Sequence, residues 1–190
     1  VTGKGPTPQE ASYGPAPIRT GQEWPEMAIP LAGGQTIVLG PKQEQAIALT
    51  FIYTRCPLPD FCPAVMVRMQ ALQEVIGDNG LILAVTLDPE FDTFEVLKAY
   101  GSAYGVNDDL WKFGRLTGEA LEDLVMRSGL SVTQENGQIL HGLRLLILSP
   151  EGRLIERYDD NFWPMDRVLT QLSTGEPFAL PGADGTLTPQ

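Results

Sequence analysis

The sequence predicts an α/β sandwich, a central mixed sheet flanked by helices, with a β-hairpin on its N-terminal side. Three observations carry this. A short apolar run, Ala46–Tyr53, ends in a proline-rich loop and is followed by a stretch with helical periodicity, Val65, Met69, Leu72 and Ile76. A second apolar run, Leu81–Leu87, is followed by another helical stretch. Further on, two strand-like runs flank Ser149-Pro150-Glu151-Gly152, a tight-turn sequence. The first two core strands should be parallel, because a right-handed helical crossover joins them, and the later hairpin antiparallel.

The chain has 190 residues, enough for one domain with a sizeable core. With 24 acidic and 13 basic side chains its formal net charge is −11. That excludes nucleic acid and anionic membrane surfaces as natural partners. No apolar stretch approaches the roughly 20 residues that span a bilayer. Residue 1 is Val, so a processed or truncated N-terminus is expected, with a secretory signal or membrane anchor before it.

In chain order, residues 1–21 are rich in Gly, Pro, Thr and Gln and read as a flexible arm or linker. The folded domain is expected over 22–174. Trp24, Met27, Ile29 and Leu31 can pack on its edge, and the segment 29–40, turning at Gly33-Gly34, reads as the hairpin. Ala46–Tyr53 suits a strand buried on both faces. Asn79-Gly80 ends the helix that follows. Asp92-Thr93-Phe94-Glu95 reads as a capping box, Asp92 being the cap, for a helix to about Tyr104 with Val96, Tyr100 and Ala103 inward. Trp111–Phe113 is a short strand, and a helix over 119–128 stops at Gly129. A polar turn surrounds Asn136-Gly137, His141 stands just before a strand Leu143–Leu148, Arg153–Tyr158 completes the hairpin, and Met165–Leu172 is the last helix. Residues 175–190 read as a loose tail.

The only two cysteines, Cys56 and Cys62, share the loop between the first core strand and its helix. With Pro63 in the first helical turn, Cys62 falls at the helix cap, where free N–H groups and the helix dipole would lower its pKa. Two sulfurs so placed make a redox pair, half of a soft-metal site, or a small structural disulfide. The single histidine, His141, is expected near the same sheet edge. Two thiolates and one imidazole suit Cu(I), or Cu(II) with an added oxygen; zinc would want a fourth ligand. Asp88, ending the second core strand, is a candidate carboxylate beside the site, in its outer shell, orienting His141 or tuning charge. Met69 reads as core, Asp92 as a cap, and Phe162-Trp163 as packing. Thr54 and Arg55 beside Cys56 would also permit a peroxide-reducing thiol.

The order of elements matches the thioredoxin-like fold. Residues 30–172 further resemble the Sco/SenC family, thioredoxin-like copper proteins that help build the copper centre of cytochrome c oxidase. The matching pieces are FIYTRCP…CP at 51–63, TLDPEFDTFEVLKAYGSAYG at 86–105, WKFGRLTG at 111–118 and HGLRLLILSPEGRLI at 141–155. The resemblance implies Cys56, Cys62 and His141 as copper ligands with Asp88 close by. It also implies a periplasmic or other extracytoplasmic location behind an N-terminal anchor, a monomer, and cytochrome c oxidase subunit II or another copper or dithiol protein as partner. The alternative is a thiol–disulfide oxidoreductase that reduces a partner's cysteines through Cys56 and Cys62. Two departures stand out. Five residues separate the cysteines where the family usually has three, and Gly142 stands where it usually has a hydroxyl residue.

Overall fold

The computed structural model describes residues 14–135 and 137–178. Asn136, at the centre of the expected polar turn, lies outside them, as do the first part of the expected arm and most of the expected tail. The core is a five-stranded sheet. Its middle strand, β3 (Ile47–Ile52), is buried at every position, as the unbroken apolar run requires. β4 (Leu81–Thr86) pairs with it in parallel, and β5 (Trp111–Gly114) extends that side, also in parallel. On the other side β8 (Leu145–Leu148) and β9 (Leu154–Tyr158) add antiparallel strands, giving the order β5-β4-β3-β8-β9. The expected N-terminal hairpin is β1 (Met27–Pro30) with β2 (Thr36–Leu39).

Among the described residues four α-helices cover the sheet: α1 (Cys62–Ile76), α2 (Phe94–Ala103), α3 (Gly118–Ser128) and α4 (Met165–Thr174). α1 buries Val65, Met66, Met69, Leu72 and Ile76, the face its periodicity marks, so both methionines near the cysteine loop belong to the core. α3 ends where expected, with Gly129 in the left-handed conformation. Gly152 also has a positive φ, and a Cβ there would stand 2.2 Å from the Gly40 carbonyl carbon, so only glycine lets the β8–β9 turn approach the hairpin. The other edge of β9 is not bare. Gly21 N–H donates to Leu154 O and Leu154 N–H to Gln22 O, laying the chain from Gly21 to Trp24 along it.

Two expectations are corrected. Asp92 does not cap α2. Thr93 does, its hydroxyl accepting from Val96 N–H at 3.3 Å. The inward face also differs from the expected one: Leu97 and Gly101 are buried and Tyr100 is partly buried against the core, while Val96 and Ala103 are not buried. Second, His141 does not begin a strand of the main sheet. It ends β7 (Gln138–His141), which pairs with β6 (Val132–Glu135) in a separate two-stranded ribbon, while β8 starts only at Leu145. β6 is exposed at all four positions, so it carries no apolar alternation to signal a strand.

Candidate metal and thiol site

The sheet geometry brings the site together. β3 and β4 are parallel, so their C-terminal ends open at one edge, where α/β proteins usually place their sites. β8 runs the other way and begins at that edge, Leu145 lying opposite Thr50. The cysteine loop leaves β3, the Asp88 loop leaves β4, and the His141 ribbon runs into β8.

Cys62 is the first residue of α1, with Phe61 at the cap position and Pro63 next in the first turn. Its side chain is fully buried. Its Sγ lies 3.4 Å from His141 Nε2, across 79 positions of sequence. The other ring nitrogen, Nδ1, is 2.7 Å from the Gly142 carbonyl oxygen. A carbonyl only accepts, so Nδ1 carries the proton and a neutral ring turns the Nε2 lone pair toward the thiol. The ribbon is held by Tyr53, whose hydroxyl donates to Ile139 O at 2.8 Å and whose ring meets His141 edge-on at 5.7 Å.

Burial pushes the Cys62 thiol well above its usual range, overcoming the backbone hydrogen bonds that favour its thiolate. The lowered pKa expected from the helix terminus is thus reversed: a dipole acts on a sulfur that water no longer reaches. Burial also pulls His141 below its ordinary value, against the raising effect of the Gly142 carbonyl. The resting pair is therefore neutral thiol and neutral imidazole.

Cys56 is half-buried and free, as is Cys62 in being unpaired by a disulfide. Its amide donates to Tyr53 O at 3.3 Å, and its thiol points to Leu58 O at 3.8 Å. With His141 it lines a cavity of about 130 Å³ walled by Tyr53, Leu58, Phe61, Ile139 and Leu140. Among the described residues no three His, Cys, Asp or Glu side chains already form a closed ligand set. The Cys62–His141 separation nevertheless fits metal chemistry. A sulfur at about 2.3 Å and a nitrogen at about 2.0 Å from one ion, at a tetrahedral angle, stand roughly 3.5 Å apart. Cys56 lines the same cavity, its thiol acting on that of Cys62.

Asp88 is buried, and its partner is Arg55 rather than His141: the guanidinium donates to its Oδ2 at 3.0 and 2.6 Å. Arg55 also lies over the Phe91 ring at 4.1 Å. The carboxylate thus reaches the site through the residue beside Cys56. Asp92, fully buried, takes a larger part than a cap would. It accepts from Thr54 N–H at 3.1 Å, from the Thr54 hydroxyl, and from the Thr86 hydroxyl at 2.5 Å, tying the turn before Cys56 to the end of β4. Sequence reasoning missed this tie and the Tyr53 clamp. The signal available was a pair of threonines at two strand ends facing a second Asp four positions after Asp88. Phe162-Trp163 divides: Trp163 is buried under Arg68, and Phe162 is 90% exposed.

The sequence model of the SCO1/SenC family matches residues 42–174. The SCO1 protein homolog of Bacillus subtilis is 24% identical over 151 residues, 74% of this chain and 76% of the relative. Among solved structures, BsSco, described as a member of the Sco family of cytochrome c oxidase assembly proteins with a disulfide switch, superposes with a TM-score of 0.68 at 21% identity, over 83% of this chain and 98% of its own. Copper-bound ScoI from Arabidopsis thaliana gives 0.65 at 16% identity, over 78% and 94%. At such identities the likeness establishes the fold, the thioredoxin-like sandwich expected from the order of elements.

Proposed function

The chain belongs to the SCO1/SenC family, and from that premise we propose that it binds copper through Cys56, Cys62 and His141 and delivers it for assembly of the cytochrome c oxidase copper centre. The observation that carries the reading is the 3.4 Å approach of Cys62 Sγ to an Nε2 whose lone pair is freed by the Gly142 carbonyl. Thiolates and imidazole are the donors that select Cu(I) among biological cations. Copper is cargo here: the site must hold it and release it, and a half-buried Cys56 on a loop suits release better than a closed cage would. Asp88 acts on the site by fixing Arg55 next to Cys56.

The test is an anaerobic Cu(I) titration of the reduced protein against a competing chelator. One ion per chain is expected, with affinity reduced at least about tenfold by His141→Ala and abolished by Cys56→Ser together with Cys62→Ser. Equal binding by wild type and the double variant sinks the reading.

A second reading rests on the unequal exposure of two free thiols. As a thiol–disulfide oxidoreductase, the chain would attack a partner disulfide with Cys56. The partner's leaving sulfur departs as a thiolate and takes up a proton, and Cys62 then resolves the mixed disulfide, leaving Cys56–Cys62 oxidised and the partner reduced. Full reduction of a disulfide substrate by His141→Ala favours this reading; no reduction of any substrate by wild type removes it. We further propose that the protein works as a monomer on the extracytoplasmic side of a membrane, and that its recipient is cytochrome c oxidase subunit II or another copper or dithiol protein. No helix among the described residues is long and apolar enough to cross a membrane.

A further inference from the structure

Four of the exposed large apolar side chains surround the thiols. They are Leu58 at 42%, Phe91 at 44%, Leu140 at 40% and Val132 at 36% exposure. They come from four separate segments. Leu58 and Leu140 wall the cavity that Cys56 lines. Val132 stands opposite His141 in the β6–β7 ribbon. Phe91 lies under the guanidinium of Arg55, the neighbour of Cys56. An apolar rim of this kind around a reactive group marks an interaction surface. Its charge is negative. Asp60, in the cysteine loop, and Glu90, beside Phe91, are exposed and form no ion pair among the described residues, whereas Arg55 is taken up by Asp88. The whole chain, at −11, adds to the same field.

We propose that this rim is the docking surface for a protein segment whose own thiols are flanked by apolar and basic residues. This rests on the copper reading and supplies the chemistry of the recipient. The apolar residues cover the rim and exclude water from the cavity; the basic ones answer Asp60 and Glu90. Within that contact copper moves by ligand exchange. The Cu(I) bonds to Cys56 and Cys62 break as two bonds to the segment's thiolates form, and the His141 bond is given up without replacement, leaving the ion two-coordinate on the segment. The two protons leaving the segment's thiols pass to Cys56 and Cys62, and copper remains Cu(I).

The probes are two synthetic dithiol peptides with the same apolar residues, one flanked by lysines and one by glutamates. Cu(I) transfer from the loaded full chain is followed by stopped flow. The lysine peptide should take copper at least about tenfold faster at low salt, with the gap closing near 1 M salt. Phe91→Ser and Val132→Ser should slow that transfer several-fold while chelator competition returns an unchanged copper affinity. Equal rates for the two peptides, or rim variants that transfer at the wild-type rate, overturn the proposal. A lysine peptide with serines for cysteines, added to the metal-free chain and read by fluorescence anisotropy, separates the two levels. Docking without copper affinity sinks only the copper reading, and copper affinity without docking sinks only this one. Self-association of the chain that the rim variants abolish would assign the rim to a second copy and overturn the proposal as well.

Discussion

Strand β3 is buried at all six positions and hydrogen-bonded to β4 on one side and β8 on the other. Strand β7 is buried only at Ile139 and pairs only with β6. The first leads into the loop and helix that carry Cys56 and Cys62; the second ends in His141. One side of the site is therefore placed by the centre of the core, and the other by a surface ribbon held through Tyr53, the Gly142–Ser131 hydrogen bond and Ile139. The two sides are unequally anchored: the buried thiol stands at the start of a helix packed on the core, and the imidazole on a ribbon with one buried residue in its strand.

Breaking the core side has the largest expected effect. Leu49→Ala removes a fully buried side chain from the middle of β3 and should cost about 2–5 kcal/mol in denaturant unfolding. Copper bound per folded molecule should stay unchanged. Asp92→Ala strands the Thr54 amide and two hydroxyls and should cost about 1–3 kcal/mol. It should also raise the alkylation rate of Cys56 several-fold over that of Cys62; equal acceleration at both sulfurs would show that the tie does not position the loop. Tyr53→Phe unclamps the ribbon for about 0.5–1.5 kcal/mol. Amide exchange at 138–142 should speed up while β3 and β4 keep their protection. Uniform acceleration would erase the contrast between the two sides.

The smallest effect expected is alkaline. Burial raises the phenols of Tyr100 and Tyr158 above their usual range. Above about pH 10, the ordinary tyrosine value, the unfolded chain releases these protons while the folded chain still holds them. The stability these two phenols contribute is complete below about pH 10 and falls as pH rises beyond it. The Tm should begin to fall above about pH 8.5, the ordinary thiol value, where the unfolded chain releases the Cys62 proton that the folded chain holds, and fall further beyond about 10, less so there in Tyr158→Phe. Both tyrosines lie outside the ribbon, so its exchange rates should change only with global unfolding.

What could be read from the sequence follows the same division. β3, β4, α1 and the β8–β9 hairpin announce themselves because burial forces apolar runs and helical periodicity, and Cys62 could be placed at the start of its helix from Pro63 alone. The β6–β7 ribbon, exposed and polar, leaves almost no such trace, so the sequence sets His141 before a main-sheet strand and gives no sign of the ribbon that carries it. Asp92 misled for a different reason. Its spacing to Glu95 satisfies a capping box, and only the tertiary approach of Thr54 and Thr86 shows that the carboxylate turns inward. The Cys62 ionisation expected from the helix terminus failed because depth of burial has no local signature.

The 79 positions between Cys62 and His141 also set an order of events. Between them lie β4, α2, β5, α3 and the ribbon, so the thiol–imidazole pair does not exist in a chain that is still unfolded or only partly synthesised. On the copper reading, an ion that needs both groups prefers finished molecules and by mass action stabilises them. Loading through all three donors would then double as an inspection of the fold, reached only by a molecule assembled from one end of the site to the other.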